Sequence, residues 1–301
     1  MIGSRLDFYS RHSSTAELDE FETWLTNTYE EPGQEAIEKL LRQNRMQPAD
    51  WDRISMFVAV QQRRTPLAFL EFSERWSDLA NQSLEHSVRQ LEQRLIESRR
   101  TGIPIEHEPK EDHLTGTVRV VRQDDPETEQ AAFGLEIASM RSVWMADFKR
   151  LLRDNAGTIT GTRWQTVVPA GDGQWVLTDH PTLNIIYEGP GRYEFKAGWG
   201  QAKANFFMPL SPRLALLTEI GQHKTGRSEA TPQLTELLQR MQVERAFRAV
   251  FALDEPAWVE RIRPRVIDLK RATEEQEMWE KWDPDQARSE AEFEVRDVRR
   301  E

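Results

Sequence analysis

The chain has no cysteine among its 301 residues. Disulfides, thiolate metal sites and a cysteine nucleophile are therefore all excluded. Histidines number only six, and His86, His107, His113 and His223 show neither the His-x3-His nor the His-Glu-x-x-His spacing of a zinc site. A Gly-x-Ser-x-Gly elbow, a glycine-rich phosphate loop and a dinucleotide fingerprint are missing as well. No apolar run approaches the roughly 18 residues of a membrane span, and no charged-then-apolar signal opens the chain. The expectation is a soluble, cytoplasmic protein. Positive charge is also short: 40 Lys and Arg stand against 51 Asp and Glu, a formal net charge of −11. That field repels a phosphate backbone, so a nucleic-acid partner would need a local basic patch working against it. A protein or a small ligand is the expected partner.

What is present is a globular composition, 38% hydrophobic and 30% charged, with ten Trp and thirteen Phe to anchor a core. The first half reads as helices. Ser14 and Glu17 have capping-box spacing, and Leu18, Phe21 and Leu25 follow at helical intervals. Pro32-Gly33 reads as a break before Ala36, Ile37, Leu40 and Leu41. Pro48 opens a third helix, with Ile54, Phe57 and Val58 on one face. Thr65-Pro66 is a capping hydroxyl followed by proline at the first helical position. No Gly or Pro then occurs from Leu67 to Thr101. Leu84, Val88, Leu91 and Leu95 form a narrow 4-3-4 seam on that helix. The seam packs within the fold or, alternatively, forms a homodimer contact. After a polar loop from Gly102 to Asp125, with a short strand at Thr117–Val121, Asp125-Pro126 reads as another helix start. The stripe Phe133, Ile137, Met140, Trp144, Phe148 and Leu151 would fill its core face.

The pattern then changes to period 2. Arg163–Pro169 and Gln174–Thr178 flank Ala170-Gly171-Asp172-Gly173, and Leu183–Tyr187 and Arg192–Lys196 flank Glu188-Gly189-Pro190-Gly191. Asn205–Pro209 and Leu214–Glu219 complete the run. Thr231-Pro232 caps a helix through Leu237, Met241, Phe247 and Phe251, and Asp254–Pro256 opens the next. The fold class is α+β and α-rich: a helical segment at 14–153, a small antiparallel meander at about 163–219, and helices at 231–263. Residues 1–270 read as one integrated domain. Residues 271–301 read as a charged, partly disordered tail.

Several of these pieces fall in an order that resembles the bacterial domain of unknown function 4238. They are Asp7-Phe8-Tyr9-Ser10, Gln62-Arg63-Arg64-Thr65-Pro66, Trp164, Thr178-Asp179-His180-Pro181, Pro209-Leu210-Ser211-Pro212 and Ala246-Phe247-Arg248. The resemblance covers most of residues 7 to 253. Two features depart from it: the chain lacks a His-Tyr-x-Pro-like opening, and His180 stands where the family pattern has Asn. The resemblance implies an α-rich fold and a bacterial or related origin. It implies no activity and transfers no catalytic residues.

Three groups of residues carry candidate chemistry. Asp179-His180 ends a strand, where acid–base or metal chemistry is often displayed; the structural alternative is an Asx-type turn capping the following amides. Asp179 with Glu194 and Lys196, fifteen residues on, imitates the Asp…Glu-x-Lys layout of Mg²⁺- or Mn²⁺-dependent nucleases. Glu194 and Lys196 alternate onto one face of a strand in that reading. Arg63 and Arg64 precede a helix N-terminus and form a candidate anion site; the alternative is that they bridge acidic neighbours. Gly198-Trp199-Gly200 is an aromatic point in a loop that could touch a ligand. The leading functional reading is a non-catalytic binding or interaction module, with no cofactor implied. A divalent-metal-dependent hydrolase or nuclease is the alternative.

Overall fold

The computed structural model describes residues 20–103, 118–124, 131–137, 140–219, 225–254 and 256–264, and positions 270, 273, 277, 288 and 291. The Ser14 capping box, the Asp125-Pro126 cap and most of the acidic tail lie outside these residues. Helices α1 (Glu20–Leu25) and α2 (Glu31–Leu41) are joined by a π turn at Thr26–Glu30 into one continuous helical run. The expected break at Pro32-Gly33 is therefore absent. Pro32 directly follows the π turn, where the hydrogen-bond ladder shifts from i→i+5 to i→i+4 at the residue that has no N–H to give. Gly33 serves packing instead: a Cβ there would lie 2.5 Å from Cβ of Phe57. Its bareness lets α2 close on α3 (Pro48–Arg63).

Thr65 caps α4 (Pro66–Thr101), its hydroxyl accepting from the Ala68 amide at 3.2 Å, and Gly102 ends the helix at φ 71°. Leu84 and Val88 are half-buried on this helix, while Leu91 and Leu95 are 39% and 44% exposed. A hairpin of β1 (Val118–Asp124) and β2 (Ala131–Ile137) lies against α4 through β2. Helix α5 (Met140–Asp154) begins only after that strand. The single helical stripe from Phe133 to Leu151 is thus corrected. Phe133, Leu135 and Ile137 alternate at period 2, and the seven-residue register with β1 overrides the coincidental helical spacing. A one-turn helix, α6 (Ala156–Thr160), follows.

The main sheet has six strands: β3 (Gln165–Val168), β5 (Leu183–Gly189), β6 (Arg192–Glu194), β7 (Ala204–Ser211), β8 (Leu214–Glu219) and β9 (Gly226–Glu229). Their order is β6-β5-β7-β8-β3-β9, antiparallel except for the parallel pair β3–β9. The β5–β6 and β7–β8 hairpins stand where the turn residues place them. The hairpin expected around Ala170–Gly173 does not form. Gln174–Thr178 shrinks to β4 (Leu177–Thr178), which pairs with β10 (Val250–Phe251) outside the main sheet. Trp175 leaves the strand path to bury its ring against Phe207, and its amide donates to the Pro212 carbonyl at 2.8 Å. Helix α7 spans Pro232–Arg245, shorter than its apolar stripe, so Phe247 and Phe251 are not on it. Helix α8 (Ala257–Ile262) follows Pro256, and the described positions 270, 273, 277, 288 and 291 are helical as well.

Burial explains the layering. Phe206 and Phe207 are adjacent on β7 and both fully buried, but on opposite faces. Phe206 joins Ile54, Val58, Trp164 and Leu216 beneath α2 and α3. Phe207 joins Val167, Trp175, Leu183, Leu238 and Met241 beneath α7. A third cluster, centred on Phe69, Trp144 and Phe148, holds α3, α4 and α5 together. Among the described residues no helix is long and apolar enough to cross a membrane.

Candidate functional site

A cleft of about 370 Å³ lies where α4, the turn after β4, the loop after β6 and the end of α7 converge. The α4 wall consists of Ala68, Glu71, Glu74 and Arg75, with Gln62 and Arg63 just before it. One turn of helical spacing puts Glu71 and Arg75 on the same side. Phe195 to Trp199 form the facing loop, His180 and Asn184 flank the β4–β5 turn, and Arg245 ends α7.

Local hydrogen bonds fix each wall. The loop is anchored by Asn184, whose Nδ2 donates to the Ala197 carbonyl at 2.9 Å. Trp199 donates its indole N–H to Oε1 of Gln62 at 2.8 Å and stacks on Phe206 at 4.1 Å between centroids. Gly200 adopts φ +81°, and a Cβ there would press on Thr158 at 3.1 Å. The turn is built by Thr178. Its hydroxyl donates to the His180 carbonyl at 2.8 Å and accepts from the fully buried Gln242 amide at 3.0 Å. Gln242 also donates to the carbonyls of His180 and Pro181.

His180 is 2% exposed. Its Nδ1 lies 2.7 Å from Oγ1 of Thr65. The Thr65 oxygen already accepts from Ala68, and its hydroxyl hydrogen has no other acceptor among the described residues. We therefore assign the hydroxyl as donor to Nδ1, which places the ring proton on Nε2. That buried Nε2 has no hydrogen-bond partner among the described residues. Burial, aided by the nearby Arg245 charge, lowers the imidazole pKa to about 3, so the ring is neutral near pH 7.

Arg245 is the second buried donor. One guanidinium nitrogen pairs with Glu71, its Cζ sits 5.6 Å over the Phe195 ring, and its Nε has no partner among the described residues. Arg63 faces its closest paired carboxylate, Asp147, at 3.7 Å, and burial depresses its pKa from the ordinary guanidinium value. Lys196 is exposed and has no ion pair among the described residues. Four cations thus line the cleft, Arg63, Arg75, Lys196 and Arg245, against the two carboxylates of Glu71 and Glu74. This surplus of two positive charges sits in a chain of net −11.

The sequence-level candidates divide. Arg63, His180 and Lys196 meet in the cleft. Arg64 turns away and pairs with Glu22 at 2.7 Å and with Glu30. Asp179 and Glu194 do not line the cleft. Both Asp179 oxygens accept backbone amides, from Phe247 at 2.8 Å and Arg248 at 2.6 Å. The amides Asp179 holds are therefore 68 and 69 residues away, while Thr178 serves the local turn. Among the described residues no group of three or more His, Asp or Glu could hold a metal ion. Arg245, Glu71 and Arg75 escaped sequence reasoning, and Gln62 stood there only as part of the motif before α4. No local motif marks them, and only the packing of α7 beside α4 brings them together.

Fold and cleft together define an α+β protein with a cation-lined pocket beside the end of its sheet. Residues 1–256 match the family described as Protein of unknown function (DUF4238), and the chain belongs to that family. No curated protein and no solved structure matches it. Two of the motifs behind the resemblance, Arg64-Thr65-Pro66 and Thr178-Asp179-His180-Pro181, touch through the Thr65–His180 bond.

Proposed function

We propose that the protein is a binding module for a small anionic ligand held in this cleft. The observation that supports it is the convergence of Arg63, Arg75, Lys196 and Arg245 in an otherwise acidic protein. Inside a partly enclosed cleft these charges act through less water than on an open surface, so their attraction for an anion is stronger. Cations gathered this way repel one another: among the lining groups Glu71 and Glu74 offset half of them, and Asp147, which pairs with Arg150 at 2.8 Å, reaches Arg63 only at 3.7 Å. A bound anion would relieve the remainder.

The metal-dependent hydrolase reading has less support. Its Asp179 carboxylate is committed to two backbone amides, and neither Asp179 nor Glu194 reaches the cleft that Lys196 lines. Sulfate titration of the full chain tests the binding reading. Saturable amide shifts around residues 62–75, 180 and 195–199 are expected, with a rise in melting temperature. The double variant Arg63→Gln with Lys196→Gln should remove both. Shifts scattered over the surface, unaffected by that variant, would refute the site.

A further inference from the structure

We infer that the ligand is a phosphate monoester carrying a flat ring, of the kind a nucleoside monophosphate presents, with its phosphate toward His180 and Arg245 and its ring toward Trp199. This rests on the anion-binding reading above and specifies it.

Charge balance selects the head group. The lining carries two positive charges in excess, and a phosphate monoester carries about −1.5 to −2 near pH 7. A monocarboxylate would leave about one positive charge unmatched. Donor geometry agrees. Nε2–H of His180 and Nε–H of Arg245 are donors closed to solvent and without an acceptor among the described residues, and both side chains line the cleft from different elements, the β4–β5 turn and the end of α7. A buried donor left unmet is costly, so both call for an acceptor. Arg63 and Lys196 line the cleft from two further elements, the end of α3 and the loop after β6. Donors arriving from four elements suit a tetrahedral group with three accepting oxygens better than a planar carboxylate.

The ring is read from the other end. Trp199 is clamped by Gln62 and backed by Phe206, so a flat partner would not have to order it first. Bases of any kind have a π face to stack on such a ring. Size and field then limit the ligand to one unit. A cleft of about 370 Å³ is in the range of small-molecule sites. A longer polyanion would extend over a surface whose overall charge repels it.

Calorimetry on the full chain with adenosine monophosphate, inorganic phosphate, acetate and adenosine tests this. The nucleotide should bind at least about tenfold more tightly than phosphate, within the usual contribution of one stacked base. Phosphate should in turn bind more tightly than acetate, and adenosine should give no measurable binding. Trp199→Phe should erase most of the nucleotide's advantage over phosphate. Lys196→Gln, at an exposed position that leaves folding intact, should weaken nucleotide and phosphate alike. Equal affinity for nucleotide and phosphate would overturn the ring assignment alone. Acetate binding as tightly as phosphate would overturn the phosphate assignment while leaving an anion site. Binding of none of the four would overturn both this inference and the anion-binding reading.

Discussion

Thr65 and His180 stand 115 residues apart in the sequence and 2.7 Å apart in the structure. One hydroxyl therefore does two things: it caps α4 through the Ala68 amide and it orients the imidazole at the cleft wall. Replacing Thr65 by Val keeps the shape and removes both hydrogen bonds. The expected loss is about 1–3 kcal/mol in urea denaturation, since a cap is lost and a buried ring nitrogen is stranded. Thr65→Ser should recover most of it. A Val variant as stable as the parent would mean that the ring is held by other contacts.

The same burial makes stability depend on pH. The unfolded imidazole titrates near 6.5, the folded one at about 3, so the unfolded chain binds the extra proton between those values. The neutral-ring contribution is fully present above pH 6.5 and is lost as pH falls toward 3. From pH 7 to pH 5 this group alone should cost about 2 kcal/mol, following roughly 1.4 kcal/mol per pH unit. Denaturant melts at several pH values measure it. His180→Asn, which cannot titrate, should flatten the curve over this window; an unchanged slope would assign the acid sensitivity to other groups.

Asp179 ties the end of β4 to Phe247 and Arg248, and that tie turns the chain out of α7 after Arg245. Asp179→Ala should destabilise the fold by about 1.5–3 kcal/mol, the usual range for hydrogen bonds to a charged group. Faster hydrogen exchange at the Phe247 and Arg248 amides is the local signature. Protection at those two amides unchanged in the variant would show that the carboxylate does not hold them.

Gly33→Ala tests the contact of α2 with α3. The added methyl would overlap Phe57, whose Cβ would be only 2.5 Å away. Overpacking of this kind costs about 1–3 kcal/mol. The outcome separates packing from helix propensity, because propensity alone would make alanine stabilising by up to about 1 kcal/mol.

Trp144 lies between Phe69 and Phe148, with ring centroids 5.5 Å from each, and is 1% exposed. Trp144→Ala should cost about 3–5 kcal/mol in denaturant melts. A loss below about 1 kcal/mol would place the ring outside the core.

Local punctuation was the legible part of the fold. Thr65-Pro66 and Thr231-Pro232 each supply a hydroxyl cap and a proline start, and both helices begin there. Pro190-Gly191 and Pro212-Arg213 each sit between strands that do pair. Errors arose where a partner decides. Phe133 and Ile137 fit a helical stripe with Met140 and Trp144 until β1 supplies a strand to pair with. Gln174–Thr178 alternates well enough for a strand, yet β3 is already flanked by β8 and β9. The site was legible in fragments only. Arg63, His180, Lys196 and Trp199 each stood out for separate reasons, and nothing in their spacing showed that they face one cleft. Arg245 looks like any basic residue in a last helical turn until α7 packs beside α4.

Helix α4 is a stiff rod of 36 residues, roughly 54 Å long at 1.5 Å per residue. Its first three turns form a wall of the cleft, whereas most positions beyond residue 80 are exposed. Such a rod turns angle into distance. A tilt of one degree at the cleft end moves the far tip by about 1 Å, so a small side-chain adjustment beside the cleft is magnified at the other end of the helix.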